Sequence, residues 1–282
     1  MQKFIGFDGI GLRASVHGNP ANRPVLLLHG GGQTRHAWQA AALKLAEQNF
    51  YAIALDARGH GDSEWAPDGN YSLDTFVGDL RAIIDTLSHK PAIVGASLGG
   101  LTALVALGES TAELACALVL VDVVPKLDPQ GTEKITAFMS AHPQGFETLQ
   151  QAADVISAYM PQRNRPRSLE GLSKNLRKKA DGRFYWHWDP KFLSRATDID
   201  RAALFARIAA AAGNVKIPTL LIRGELSEIV NDAGVEDFKA LMPNAEYVNL
   251  QGAGHMVAGD KNNAFNAAAI EFLLRKAPRI GD

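Results

Sequence analysis

Ser97 stands in a pattern that is typical of an activated serine. The letters GASLG at residues 95–99 follow a short apolar run and precede a helix rich in alanine and leucine. A tight strand-to-helix turn has no room for side chains two residues before and after the serine, and glycine meets that demand. The helix N-terminus would favour negative charge developing beside the hydroxyl. The pattern predicts a nucleophile elbow, although a turn with a capping serine would carry the same letters.

A serine hydroxyl needs a general base, and His255 is the predicted one. It lies in the segment GAGHM at residues 252–256, directly after the last predicted strand. The glycines before it let this loop approach the serine, and a histidine after the last strand suits the chain order serine, acid, histidine. The alternative interpretation is a loop histidine whose ring is satisfied by the backbone.

The acid that orients the histidine is less clearly marked. The loop at residues 224–232 carries three carboxylates, of which Glu228 is favoured, with Asp232 and Glu225 as alternatives. Asp122, at the end of the preceding strand of the sheet, is a further alternative, or else a residue that caps a turn. Any of them would hold the imidazole tautomer and stabilise the imidazolium ion.

Two backbone N–H groups are predicted to bind the oxyanion: that of Leu98, directly after the serine, and that of Gly31 in the turn HGGG at residues 29–32. The three glycines permit positive φ and a close approach of a ligand. The turn lacks the Gly-Lys-Ser/Thr ending of a phosphate loop and the spacing of a dinucleotide-binding loop. No cluster has metal-ligand spacing, so we expect neither a metal nor another cofactor.

The elements that must position these residues alternate between strands and helices. Short apolar runs at 25–28, 51–55, 92–96, 117–122, 218–223 and 246–250 are separated by helical segments, after an N-terminal hairpin at 4–17. This alternation requires right-handed crossovers and a mostly parallel sheet. We therefore predict an α/β fold with eight strands and helices on both faces of the sheet.

Between residues 125 and 213 the pattern of buried strands stops, and helical spacing broken by prolines replaces it. We interpret residues 1–124 and 214–282 as the core and residues 125–213 as an all-helical cap inserted after the sixth strand. The cap would cover the edge of the sheet at which its strands end and would set the substrate. Its aromatic segment FYWHWD at 184–189 is predicted to form part of the roof of the pocket, although packing inside the cap would explain the segment as well.

Four residues are predicted to line the pocket. Trp186 and Trp188 belong to the aromatic segment, Trp38 follows the glycine turn, and Met256 follows the predicted base. Helix packing would explain Trp38 equally well. Basic residues between 163 and 179 are interpreted as a solvated helical face, and one arginine meeting a substrate carboxylate is the alternative.

Composition narrows the class of partner. The chain has 282 residues with 29 Lys and Arg against 30 Asp and Glu, so its formal net charge is −1. This balance argues against nucleic acid or an anionic membrane as the main partner and leaves a small-molecule substrate. The single cysteine, the absence of a signal-peptide pattern and the absence of a long apolar run favour a cytoplasmic protein. The sequence does not fix an oligomeric state.

These motifs together resemble the α/β-hydrolase fold superfamily. The resemblance rests on residues 25–32, the segment DARGHGDS at 56–63, and residues 95–99, 218–223 and 252–256, and it spans essentially the whole chain. It is nearest to the capped branch of esterases, lactonases, carbon–carbon hydrolases and haloperoxidase-like perhydrolases. Many members of the family carry aspartate where this chain has Ser227. Dehalogenase and epoxide-hydrolase relatives use an aspartate nucleophile, which Ser97 argues against.

The expected function is therefore that of a serine hydrolase acting on a small or medium carboxylic ester or lactone through an acyl-enzyme. Peroxide-dependent perhydrolysis and cleavage of a carbon–carbon bond by the same residues are alternatives. A further alternative, from another class, is a ligand receptor that hydrolyses slowly. Fold alone does not decide between them.

Overall fold

The computed structural model describes residues 1–159, 169–194, 200–255 and 262–280. Eight strands form one sheet: β1 Gln2–Ile5, β2 Gly11–His17, β3 Arg23–Leu28, β4 Phe50–Asp56, β5 Ala92–Ala96, β6 Ala117–Val121, β9 Thr219–Gly224 and β10 Glu246–Leu250. Their order in the sheet is β1-β2-β4-β3-β5-β6-β9-β10. The pairs β1/β2 and β2/β4 are antiparallel and the other pairs are parallel. The predicted α/β fold with a mostly parallel eight-stranded sheet is confirmed.

Helices cover both faces of the sheet because its central strands are apolar on both sides. The helices are α1 Gln39–Glu47, α2 Leu73–Asp85, α3 Leu98–Gly108, α4 Pro129–Ser140, α5 Leu149–Tyr159, α6 Glu170–Ser173, α7 Lys191–Ser194, α8 Arg201–Asn214, α9 Asp232–Leu241 and α10 Asn262–Lys276. In β3, Val25 and Leu27 join the core under α1 and α10, whereas Leu26 joins the core under α2, α3, α8 and α9. Strands that are buried on both faces read as continuous apolar runs, which is why the sequence displays them.

The segment 125–213 is not all-helical, which corrects the sequence-based expectation. Within it, β7 Leu176–Lys178 and β8 Phe184–Trp186 pair as a small antiparallel hairpin, and Phe146 bridges to Phe184. Three-residue strands are too short to show an alternating pattern, so the sequence gives little sign of them.

The last helix of this segment, α8, packs against α3 of the core. Its Ile208, Ala211 and Ala212 are buried in the same apolar cluster as the residues of α2 and α3. A Cβ atom on Gly108 of α3 would overlap the backbone of Ala211, so the two helices approach closely. The division of the chain into residues 1–124 with 214–282 and an inserted 125–213 remains a prediction, and α8 is the part of 125–213 that packs as a core helix.

Candidate active site

Ser97 lies at a strained turn between β5 and α3. Its φ is 45° and its ψ is −116°, a backbone conformation that non-glycine residues rarely adopt. A Cβ atom on Gly95 would come within 2.7 Å of the backbone of Gly99 and Gly100, and one on Gly99 would come within 2.6 Å of the Leu28 Cβ. The glycines at 95 and 99 are thus required sterically, as the sequence predicts.

Asp122 occupies the equivalent place on the neighbouring strand. Ala96 pairs with Val121 in the parallel register of β5 and β6, and the Ser97 N–H donates to the Val121 carbonyl at 3.3 Å. Ser97 and Asp122 therefore follow adjacent strands at the same edge of the sheet. Asp122 also has a positive φ, 49°, so both residues stand on strained turns.

The carboxylate of Asp122 is fully buried and receives three hydrogen bonds. Its Oδ1 accepts from the Gly224 N–H at 2.9 Å. Its Oδ2 accepts from the Ser227 hydroxyl at 2.6 Å and lies 2.7 Å from Nδ1 of His255. An ionised carboxylate can only accept hydrogen bonds, so Nδ1 of His255 must donate and carries the ring proton. Nε2 is then the unprotonated nitrogen. The carboxylate of Asp122 thus holds the imidazole of His255 in the tautomer that the predicted base for Ser97 requires.

Glu228, the favoured acid in the sequence, is not bonded to His255. Its side chain is 59% exposed and lies 3.6 Å from Lys134, as an ordinary surface ion pair. The loop after β9 turns its Ser227, one residue earlier, towards Asp122 instead. The acid prediction is therefore wrong for Glu228, and the alternative Asp122 is the carboxylate on the histidine.

The other two carboxylates of that loop have partners elsewhere as well. Asp232 is 92% exposed and pairs with Arg223. Glu225 accepts from the Gly252 N–H at 2.7 Å. Neither side chain competes with Asp122 for the imidazole.

The glycine turn after β3 is held by bonds to its flanking groups. The Gly30 N–H donates to Gln33 Oε1 at 2.9 Å, and the Gly30 carbonyl accepts from the Gln33 N–H at 3.1 Å. The Gly32 N–H lies 3.1 Å from Nε2 of His60, and the Gly32 carbonyl lies 3.2 Å from Nε2 of His187. The backbone on both sides of Gly31 is therefore fixed.

The N–H group of Gly31 differs from those of Gly30 and Gly32 in this respect, and the N–H group of Leu98 resembles it. Within the part of the chain that the structure describes, the N–H groups of Gly31 and Leu98 have no acceptor. Leu98 begins α3, and the first N–H groups of a helix have no intrahelical partner. A Cβ atom on Gly30 would lie 3.2 Å from the Cβ of Ser97, so the turn passes directly beside the serine. Both N–H groups that are predicted to bind the oxyanion thus lack an acceptor among the described residues, and their role in binding it stays a prediction.

Three buried histidines surround the glycine turn: His29, His60 and His187. Nε2 of His29 accepts from the Ala57 N–H at 3.0 Å, so its Nδ1 donates to the Gly30 carbonyl at 2.8 Å. The three rings lie near one another, with centroids 5.3 Å apart for His29 and His60 and 5.9 Å apart for His60 and His187.

Burial lowers the pKa of all three rings, and the positive charge that a neighbouring ring would carry lowers them further for His60 and His187. Neutral imidazoles with both nitrogens occupied by backbone groups are poor bases and poor metal ligands. Among the described residues, no group of three or more His, Cys, Asp or Glu side chains is arranged to hold a metal ion.

The residues predicted to line the pocket lie in different places. Trp38 is 1% exposed and packs on Phe265 in the core under α1 and α10, with ring centroids 5.7 Å apart. Its predicted position at the mouth of the pocket is wrong, because the helical turn directs its side chain under the sheet. Met256 lies outside the described residues.

Trp186 and Trp188 stack on each other inside the segment 125–213, with centroids 4.9 Å apart. Phe138 and Phe146 pack against Trp186, at 5.6 and 5.1 Å. The aromatic segment thus contributes to packing inside the insertion, and contact of either tryptophan with a substrate stays a prediction.

Two residues that the sequence did not single out cover the glycine turn. A Cβ atom on Gly31 would lie 3.4 Å from the ring of Phe192, and one on Gly32 would lie 2.9 Å from the terminal methyl of Met139. Phe192 lies on α7, just after the aromatic segment, and Met139 lies on α4. Their apolar character is ordinary for a helix, so no local signal marks them.

Comparison with known proteins shows the family of the chain. A family model for the alpha/beta hydrolase fold matches residues 23–261, and the chain belongs to that family. The esterase Rv0045c of Mycobacterium tuberculosis is 31% identical over 247 residues, which cover 85% of this chain and 79% of the esterase. A 2-(acetamidomethylene)succinate hydrolase of Mesorhizobium japonicum is 27% identical over 235 residues, or 83% and 81% of the two chains.

A solved structure extends the likeness to three dimensions. The crystal structure of an E-2-(acetamidomethylene)succinate hydrolase superposes with a TM-score of 0.84 at 22% identity, covering 96% of this chain and 98% of the other. The prediction of a hydrolase with this fold is confirmed. No helix in the described parts of the chain is both long and apolar enough to cross a bilayer.

Proposed function

We propose that this protein is a serine hydrolase that cleaves a small or medium carboxylic ester or lactone through an acyl-enzyme. The observation that carries the proposal is the 2.7 Å hydrogen bond between His255 Nδ1 and the buried Asp122, at the strand end beside that of Ser97. Similarity to an esterase supports an ester as the substrate.

In the acylation step, Nε2 of His255 removes the proton from the Ser97 hydroxyl as its oxygen attacks the carbonyl carbon. The negative charge that develops on the carbonyl oxygen is stabilised by the open N–H groups of Gly31 and Leu98. Asp122 keeps the imidazole in the required tautomer and stabilises its positive charge. When the tetrahedral intermediate collapses, the ester bond breaks and the alcohol leaves with the proton from Nε2.

In the deacylation step, the same groups act on water. Nε2 of His255 removes a proton from a water molecule, whose oxygen attacks the acyl carbon on Ser97. The oxyanion again binds to the two N–H groups, and the serine leaves with the proton returned by the imidazole. The products are a carboxylic acid and free enzyme.

The segment 125–213 is proposed to act as the cap that selects the substrate. Phe192 and Met139 cover the glycine turn with apolar side chains, which favours an apolar acyl group next to the carbonyl. Trp186 and Trp188 stack on each other inside the segment, and we propose this pair as the roof of the pocket.

The test is the rate of hydrolysis of aryl esters and lactones by the wild-type protein, Ser97→Ala and the control Ser140→Ala. Ser140 is exposed on α4, and its hydroxyl bonds only to its own helix. Ser97→Ala should lower kcat/KM by about 10⁴-fold or more, and Ser140→Ala should leave it unchanged. Full activity of folded Ser97→Ala would contradict the proposal.

Product analysis separates the alternatives that share these residues. Acid and alcohol formed without peroxide support ester hydrolysis. Peracid formed only with hydrogen peroxide would support perhydrolysis, and two carbon fragments from a keto acid would support cleavage of a carbon–carbon bond. Tight binding of a ligand without repeated turnover would instead support a receptor.

A further inference from the structure

His187 belongs to the segment 125–213, yet its ring also forms hydrogen bonds with the core. It follows β8 directly and is 1% exposed. The Gly61 N–H donates to its Nδ1 at 2.9 Å, and its Nε2 lies 3.2 Å from the carbonyl of Gly32. The ring therefore bridges two turns of the core, those after β4 and β3.

The bond from Gly61 decides the direction of the bond to Gly32. Since Nδ1 accepts the Gly61 N–H, the ring proton is on Nε2, and Nε2–H donates to the Gly32 carbonyl. Burial lowers the pKa of His187 to about 3, so the ring keeps this neutral form at ordinary pH. The Nε2–H donor to the Gly32 carbonyl is therefore present at ordinary pH.

Gly32 is the residue at which the glycine turn changes direction. Its φ is +75°, and its own N–H is bonded to His60. With His187 on its carbonyl, the peptide units on both sides of Gly32 are held, and Gly31 immediately precedes them. Phe192 and Met139 of the insertion cover this turn with apolar groups, whereas His187 bonds to its backbone.

The segment that carries His187 is itself tied to the core. The buried carboxylate of Asp189 accepts from the Tyr71 hydroxyl at 2.6 Å, and the Asp189 N–H donates to the Gly59 carbonyl at 2.9 Å. The ring of Phe192 packs edge-on against His60 at 4.8 Å. Residues 187–192 thus form an anchored strap against the glycine turn, and displacement of the strap would displace Gly32.

We propose that His187 is a positioning residue through which the insertion holds the oxyanion-binding turn in place. The proposal rests on the proposed function, because it assigns the Gly31 N–H to the oxyanion. His187 contacts neither substrate nor Ser97 in this account, and acts only through the Gly32 carbonyl.

The test compares His187→Gln with His187→Asn, because each keeps one of the two bonds. The glutamine amide reaches the position of Nε2 and can donate to Gly32, whereas the asparagine oxygen lies near the position of Nδ1 and can accept from Gly61. A purely structural role predicts equal effects from the two variants. A role in positioning the turn predicts different effects.

The expected kinetic result is a kcat for aryl-ester hydrolysis that falls about tenfold in His187→Asn and less than about threefold in His187→Gln, with KM unchanged in both. Affinity for a trifluoromethyl ketone, which forms an oxyanion on the serine, should fall in step with kcat. Equal losses of kcat in the two variants, or a loss that appears in KM, would overturn the proposal.

Amide hydrogen exchange provides a readout that does not need turnover. The Gln33 amide, whose peptide unit contains the Gly32 carbonyl and whose N–H donates to Gly30, should exchange faster in His187→Asn, and the Gly61 amide should exchange faster in His187→Gln. If both amides respond alike to the two variants, the coupling to the turn is absent. If the two variants show this crossed pattern while the wild-type protein hydrolyses no ester, the proposed function is contradicted and the coupling of His187 to the turn stands.

Discussion

The two sides of Ser97 are built in opposite ways. On the acid side, three donors converge on one group, the buried carboxylate of Asp122. On the side of the glycine turn, residues 29–32, bonds are made to the groups around Gly31, and its own N–H has no acceptor in the described parts of the chain. The acid side fixes a charge by bonding to it directly. The glycine-turn side orients the Gly31 N–H by hydrogen-bonding the backbone groups of Gly30 and Gly32 on either side of it.

The difference has a chemical reason. A buried carboxylate without donors is costly, so the acid side must be saturated before any substrate arrives. An oxyanion exists only during the reaction, so its donors must stay unpaired and already oriented in the resting protein. Substitutions on the acid side should therefore act on the charge of the imidazole, and those on the other side should act on the direction of an N–H group.

The largest effect is expected from neutralising Asp122. Asp122→Asn removes the charge that stabilises the imidazolium ion and presents a donor to a nitrogen that already carries a proton. We expect kcat to fall on the order of 10³–10⁴-fold. Glu228→Gln is the matched control in the neighbouring loop, and we expect a change of less than about twofold because Glu228 is a surface ion pair.

Steady-state kinetics of the two variants, with circular dichroism to confirm folding, distinguish the two carboxylates. A larger loss in Glu228→Gln than in Asp122→Asn would reverse the assignment of the acid.

The glycine-turn side is tested by adding one methyl group. A Cβ atom on Gly30 would lie 3.2 Å from Ser97 Cβ, which is rigid, whereas one on Gly31 would make an ordinary 3.4 Å contact with Phe192. We expect Gly30→Ala to lower kcat by about 10–100-fold, because small displacements of reacting groups are costly, and Gly31→Ala to lower it only a few-fold. The kcat values of the two variants test this prediction. A larger loss of kcat in Gly31→Ala than in Gly30→Ala would contradict it.

The buried histidines of the glycine-turn side should make stability depend on pH. An unfolded histidine binds a proton below about pH 6.5, whereas folded His187 stays neutral down to about pH 3. The unfolded chain therefore binds more protons between these values, and stability is lost as pH falls from 6.5 towards 3. His187 alone should lower the free energy of unfolding by about 2 kcal/mol between about pH 7.5 and about pH 5.

Urea unfolding of the wild-type protein and His187→Gln at the two pH values measures this contribution. The loss of stability should be smaller in His187→Gln by about 2 kcal/mol. Identical pH dependence in the two proteins would show that His187 does not stay neutral on folding.

The smallest effect is expected from Ser227, which provides one of the three bonds to Asp122. Ser227→Ala leaves Gly224 and His255 on the carboxylate, so we expect kcat to fall about tenfold, the equivalent of one hydrogen bond to a charged group. Adding Ser227→Asp to Asp122→Asn should recover at least about tenfold of the lost kcat, because the Ser227 hydroxyl lies 2.6 Å from the Asp122 oxygen that bonds His255. Single-turnover rates measure both, and no recovery would show that position 227 cannot reach the imidazole.

The sequence predicts the residues whose place depends on a local motif. Ser97 and its flanking glycines follow from the steric demands of one turn, and the eight strands follow from apolar runs that must be buried on two faces. Asp122 is among the alternatives in the sequence, but the choice depends on the pairing of Val121 with Ala96, which brings the ends of two strands together.

Other contacts depend on the tertiary fold alone. His187 bonds to Gly61 and Gly32, which lie 126 and 155 residues away along the chain, and no local pattern marks such a partner. Trp38 looks the same in the sequence whether it faces a pocket or a core. Its contact with Phe265 of α10 settles the matter only once that helix is placed under the sheet.

The central claim is that Asp122 and His255 activate Ser97, and covalent labelling tests it most directly. A fluorophosphonate should modify the peptide that contains Ser97 and abolish ester hydrolysis in proportion to labelling. The labelling rate should fall about 10³-fold in Asp122→Asn and stay unchanged in Glu228→Gln. Labelling of another residue, continued hydrolysis by fully labelled protein, or an equal rate in Asp122→Asn would contradict the account.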